Sequence, residues 1–139
     1  MKKIVFAGLA LLLLVAAEMV AGQDKPQSGS LEKPISWDNW RAAKDMAVKS
    51  DEDGKYVEAL QYYLEYTRQA EGLGSMELVA WGKNNAAFMI IKRHKQDATV
   101  DLTPAKKLLE EGMTIDKATD DCKKCLATNM EYVNLFLKK

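Results

Sequence analysis

A chain of 139 residues with 20 basic and 20 acidic side chains, about half of it apolar, has the makeup of one small globular domain without collagenous or disordered bias. The balanced charge gives no broad cationic field for a phosphate backbone, and no motif interleaves aromatic and basic residues for base stacking, so nucleic acid is not an expected partner. Lys2 and Lys3 followed by an apolar run over 4–17, with Leu11 to Leu14 inside it and the small residues Ala21 and Gly22 beyond, predict a secretory signal peptide over 1–22. The run is short for crossing a bilayer, and no cysteine follows it for lipid attachment. An uncleaved amino-terminal anchor is the competing reading, since Glu18 and Met19 make an imperfect cleavage region. Cleavage leaves no stable membrane span and sends the remainder to the periplasm or the secreted fraction.

Residues 23–35, with Pro26, Ser28, Gly29, Ser30 and Pro34, carry turn-formers and little to bury, which predicts a flexible leader before a helical domain over 36–139. Ser36 is the expected N-cap of a helix over 37–50, where Trp37, Trp40, Ala43, Met46 and Ala47 recur at three- and four-residue steps. Gly54 ends it, because glycine takes the left-handed backbone without steric cost. Tyr56, Ala59, Leu60 and Tyr63 form one face of a second helix over 55–70. Gly72 to Ser75 is the next turn, and Leu78, Trp81, Gly82, Asn85 and Phe88 mark a third helix over 76–93. After a polar stretch, Thr103 and Pro104 start a fourth over 103–115, with proline at its favoured first position. A fifth, over 118–137, carries Leu126, Met130, Val133, Leu135 and Phe136.

Ala43, Met46, Ala47, Ala59 and Tyr63 fall on the spacing of a helix-turn-helix repeat, and Gly82 follows Ala47 by 35 residues, against a family period of about 34. On these residues the chain resembles the tetratricopeptide repeat family over roughly 37–139. The resemblance implies an all-α fold: a short right-handed solenoid of antiparallel helix pairs, about two and a half repeats in five helices, ending in a capping helix. Tyr66 departs from it where a small residue is usual, as does Gly112 where alanine is usual, and no unit ends in proline. The expected core holds Trp40, Met46, Ala47, Tyr56, Ala59, Leu60, Tyr63, Leu78, Trp81, Gly82, Phe88, Ala105, Leu108, Leu109, Leu126, Ala127 and Met130. Family members are usually non-catalytic and hold a peptide or protein in a concave groove. Carried onto this register, the groove positions are Arg41 and Lys44, Val79 and Lys83, and Lys124, with Asn84 and Asn129 beside them. That cationic set implies a partner with an acidic or carboxylate-bearing end, with Asp51, Glu52 and Glu131 at the groove's edge. Exposed apolar ends of a short array leave a homodimer open.

Other chemistry has little foothold. His94, the one histidine, lies in Lys92-Arg93-His94-Lys95 and is expected on a solvated face, where neighbouring cations oppose a metal. Cys122 and Cys125 are the two cysteines. Leu126 replaces the histidine that c-type haem would need, and no second pair completes a zinc site. In an exported protein a local disulfide between them is the expected state, with free buried thiols and a redox pair as alternatives. No catalytic residue, metal or cofactor is expected. The expected function is a non-catalytic protein- or peptide-binding module of the cell envelope or secreted fraction; a thiol-disulfide redox protein using Cys122 and Cys125, or a purely structural envelope component, are the other readings.

Overall fold

Ser36 opens the first helix, α1 (Trp37–Glu52), because its extended backbone lets its hydroxyl accept the Asn39 amide hydrogen at 3.1 Å, satisfying one of the donors that a helix start leaves bare. The computed structural model describes residues 31–138; the expected signal peptide and residues 23–30 of the expected leader lie outside that range. Gly54 closes α1 and Gly74 closes α2 (Tyr56–Gly72) with the same device. At φ +72° and +73° both adopt the left-handed backbone, and paired reverse bonds form around each. Lys55 N–H reaches the Ser50 carbonyl at 2.8 Å and Gly54 N–H the Asp51 carbonyl at 3.0 Å; Ser75 to Ala70 and Gly74 to Glu71 repeat the pattern at 3.0 Å. The third helix, α3 (Met76–Gln96), is the longest at 21 residues. In the turn after it, Asp101 Oδ1 accepts the Thr103 amide at 2.9 Å and leads into α4 (Thr103–Met113), with Pro104 in its first turn. Thr119 caps α5 (Asp120–Leu137) by accepting the Cys122 amide at 3.2 Å. The fold is all-α, with these five helices and no strand among the described residues.

Each helix packs on the one before it, and α5 also packs on α3. Pairing runs antiparallel. Ser36 meets Gln69 at one end of the first hairpin, and Ala47 and Ala59 are packed together at the other. Between α3 and α5 the direction is parallel: Asn84 meets Asn129, and His94 meets Tyr132 further along both helices. This is the arrangement of alternate helices in a stack of helix pairs. Ala47, Ala59, Tyr63, Ala86 and Met89 fill the space between α1, α2 and α3. A second pool, with Ile91, Leu102, Ala105, Leu109, Leu126 and Val133, fills the space between α3, α4 and α5. Small residues set the close crossings. A Cβ at Gly82 would stand 2.8 Å from Tyr66 Cδ1, and one at Gly112 would stand 2.8 Å from Leu126 Cδ2. Two of the three departures from the expected pattern have a packing reason: Tyr66 occupies room that Gly82 leaves, and Gly112 makes room for Leu126.

The helix ends at residues 37, 76, 103 and 137 fall where expected and the others differ by one to three residues; α3 runs three residues further than expected and α5 starts two later. Of the expected core, Met46 and Ala127 are exposed. Ala127 lies on the side of α5 turned away from α3 and α4. The outer face of α5, with Asp120, Lys124, Ala127, Thr128 and Glu131, is exposed and mostly polar, and it also carries Leu135, 67% exposed. The end of the expected leader is not loose. Residues 33–36 run along α2, where Glu65 Oε1 accepts the Lys33 amide at 3.1 Å and Gln69 Oε1 the Ser36 amide at 2.9 Å. Composition alone hid this, because the partners are buried polar residues thirty residues further on.

Candidate functional site

The expected cationic groove does not assemble as one surface, because α3 turns a different side outward. Val79 is 1% exposed and Asn84 4%. Helix α3 is covered by α2, α4 and α5, and the positions carried over from the repeat family fall inside those contacts. Lys83 reaches the Glu111 carboxylate of α4 at 2.6 Å, which holds Glu111 below its ordinary pKa, the lysine hydrogen bond outweighing partial desolvation. Asn129 Nδ2 donates to Asn84 Oδ1 at 2.9 Å, and Asn84 Nδ2 to Asn85 Oδ1 at 3.2 Å, so the two asparagines tie α5 to α3. Arg41 pairs with Asp38 on its own helix at 2.8 Å. The Lys44 ammonium lies 5.6 Å from the Trp40 ring centre, and Lys124 stands out in solvent, 3.8 Å from Asp121. Asn84 and Asn129 are brought together; the four cations are held by separate local partners.

The side of α3 that does face outward carries Glu77, Trp81, Asn85, Phe88, Lys92 and Lys95, recurring at steps of three and four and all half-buried or exposed. At its carboxyl end, rings and ammonium groups alternate across three helices. Lys92 Nζ lies 5.4 Å from the Tyr56 ring of α2 and 4.9 Å from Phe88; Lys95 Nζ lies 5.9 Å from Phe88 and 5.1 Å from Tyr132 of α5. Each ammonium is drawn to the negative faces of the rings beside it. Asp51, at the end of α1, accepts from Lys92 at 2.6 Å, joining the fourth helix to the row. The result is a surface with two positioned cations and flat apolar walls.

His94 is buried, contrary to the solvated position expected of it. Its Nδ1 is 2.9 Å from the Tyr132 hydroxyl, and its ring meets Phe136 edge-on at 4.9 Å. The cation-rich neighbours Lys92, Arg93 and Lys95 disguised a position that continues the buried stripe of Ala87, Ile90 and Ile91. One helical turn past Ile90 and Ile91 points inward whatever the local charge.

Cys122 and Cys125 are free thiols in this structure, not the expected disulfide. Cys122 faces the core and Cys125 the solvent. Residues three apart on a helix hold their Cβ atoms about 5–6 Å apart, whereas a disulfide needs about 3.5–4.5 Å. The Thr119 cap keeps that first turn helical. Burial, then Cys125 and Glu77, push the Cys122 thiol up to about 11, so little nucleophilic thiolate forms there near neutral pH. Among the described residues no three His, Cys, Asp or Glu side chains converge as metal ligands, and no helix is long and apolar enough to cross a membrane.

Compared with protein-family models, curated proteins and solved structures, the chain matches none.

Proposed function

We propose that the chain is a non-catalytic helical-repeat module of tetratricopeptide type, exported to the periplasm or secreted, that holds a protein or peptide partner on the outward stripe of α3. The observation that carries the reading is the row of Tyr56, Lys92, Phe88, Lys95 and Tyr132. A lysine side chain loses up to about 2 kcal/mol of rotamer entropy when immobilised. Rings that already restrain Lys95 reduce that cost when a carboxylate arrives. Trp81 and Asn85 extend the stripe with an apolar ring and a carboxamide, suiting it to an acidic segment with a free carboxyl end. The thiol-redox reading is disfavoured by Cys122, buried and held as a thiol.

Titrating the full chain with acidic peptides ending in a free carboxylate, beside amidated and basic counterparts, tests the proposal. Binding is expected to weaken with salt, because exposed charges are screened over about 10 Å at 0.1 M, and to be lost in Lys95→Glu and Trp81→Ala. Equal binding of basic peptides, or unchanged affinity in Lys95→Glu, contradicts it.

A further inference from the structure

The carboxyl-terminal half of α2 grips an extended piece of chain by its backbone. Gln69, fully buried, shares its two Nε2 hydrogens among the Lys33 and Pro34 carbonyls, at 3.0 Å each, and the Glu65 carboxylate, and its Oε1 accepts the Ser36 amide at 2.9 Å. Glu65, also buried, accepts the Lys33 amide at 3.1 Å and is itself held by Gln69 Nε2 at 2.9 Å and Arg68 Nε at 2.7 Å. Arg68 donates from Nη2 to the Lys33 carbonyl as well. Three side chains at i, i+3 and i+4 thus lie on one helix face and satisfy both backbone groups of Lys33, the Pro34 carbonyl and the Ser36 amide. The side chains of Lys33 and Pro34 take no part, and both residues are exposed. Ile35 is also exposed, at 42%, but one side of its side chain rests on α2. It lies over Gly72, where a Cβ would stand 2.7 Å from Ile35 Cδ1.

A helix face that reads backbone groups and one aliphatic side chain is indifferent to most of the sequence it holds. We infer that Glu65, Arg68 and Gln69, with the notch at Gly72, form a docking site for an extended peptide with an aliphatic residue two places after the clamped one. Residues 33–36 are its built-in occupant. They keep the site closed to weak competitors because the tether holds them at millimolar or higher effective concentration. A partner segment enters by displacing them, and the chain amino-terminal to α1 is then released. The site lies on α2 and stands independently of the stripe on α3.

The test uses Lys33→Pro, which removes the amide that Glu65 accepts, and Lys33→Ala, which keeps it. Ile35→Gly opens the strap from the other side and leaves α2 untouched, should the proline variant fail to fold. In the full chain, the Ser36 amide is expected to exchange with solvent roughly tenfold faster or more in Lys33→Pro and Ile35→Gly, as when several local bonds are lost together, and at the parent rate in Lys33→Ala. A capped synthetic peptide of residues 31–36 is expected to bind the opened variants, shifting the Gln69 side-chain amide resonances, and to bind neither the parent chain nor Ile35→Gly combined with Gln69→Leu. Parent-like Ser36 exchange in both opened variants overturns the inference. So does failure of the peptide to bind either variant once Ser36 exchange shows the strap open, and so does binding that survives Gln69→Leu.

Discussion

Replacing Gly82 by alanine sets two effects of opposite sign against each other, and the structure decides between them. In a helix interior the change gains about 1 kcal/mol from backbone propensity. The added Cβ would meet Tyr66 Cδ1 at 2.8 Å and Thr67 Cβ at 3.1 Å, and it would overlap the Thr67 hydroxyl. Neither neighbour yields easily. The Thr67 hydroxyl donates to the Tyr63 carbonyl at 2.8 Å in a buried position, and its β-branched side chain has few alternative rotamers. The Tyr66 ring is wedged between Trp40 and Tyr63, with centroids 5.2 and 6.3 Å away. Overpacking of this kind costs about 1–3 kcal/mol, and with two neighbours that cannot yield the cost here falls at about 2–3 kcal/mol, so after the propensity gain the net loss for Gly82→Ala is about 1–2 kcal/mol. Gly112→Ala is the control. Its new Cβ meets the end of the flexible Leu126 side chain at 2.8 Å and then little before 3.5 Å; the two effects nearly cancel, to within about 0.5 kcal/mol. Urea unfolding followed by circular dichroism measures both, and Thr67→Ala should recover part of the Gly82→Ala loss in a double-mutant cycle. A Gly82→Ala protein as stable as the parent, with no coupling to position 67, would refute the proposed α2 and α3 contact.

The buried carboxylate gives a pH dependence of known sign. Burial raises the Glu65 pKa, but hydrogen bonds from Arg68, Gln69 and the Lys33 amide outweigh it, so the folded value lies below the ordinary one. Its contribution is therefore fully present above the ordinary carboxylate range and is lost as pH falls from that range through the lowered value. Glu65→Gln should flatten that acid limb in unfolding experiments run from neutral to acidic pH, and an unchanged limb would remove Glu65 from the account. Thiol titration of the folded protein should modify Cys125 rapidly and Cys122 only after unfolding, giving two thiols in denaturant; a count of zero there would establish the bridge instead. Ala59→Leu, at a fully buried position beside Ala47, Ala86 and Met89, should cost about 1–3 kcal/mol, measurable by the same urea titration.

The sequence shows the helix ends and hides the helix faces. Ser36, Gly54, Gly74 and Pro104 act through their own backbone or hydroxyl, so composition and position are enough to read them. Helix α3 is different. Val79, Ala80, Ala86, Ala87, Met89, Ile90 and Ile91 are all buried, which spreads the buried apolar residues over more than half of the helix circumference, too wide an arc for periodicity to orient it closely. A register carried over from a repeat family then rotates its outward side incorrectly, onto Val79, Lys83 and Asn84. The strap was hidden for another reason. Glu65 and Gln69 are polar residues outside the Tyr56, Ala59, Leu60 and Tyr63 face, and only the returning chain gives their buried polar groups partners.

Partner contact in its native compartment is the most direct measure of the central claim, that the outward stripe of α3 is the binding surface. A photoreactive amino acid placed at Asn85, between Trp81 and Phe88 on that stripe, is compared with one at the exposed Glu110 on α4. The account predicts a discrete adduct with a second protein through position 85, none through position 110, and loss of the adduct when Lys95→Glu is added. Adducts through position 110 and none through position 85, or an adduct at 85 that Lys95→Glu leaves intact, would contradict it.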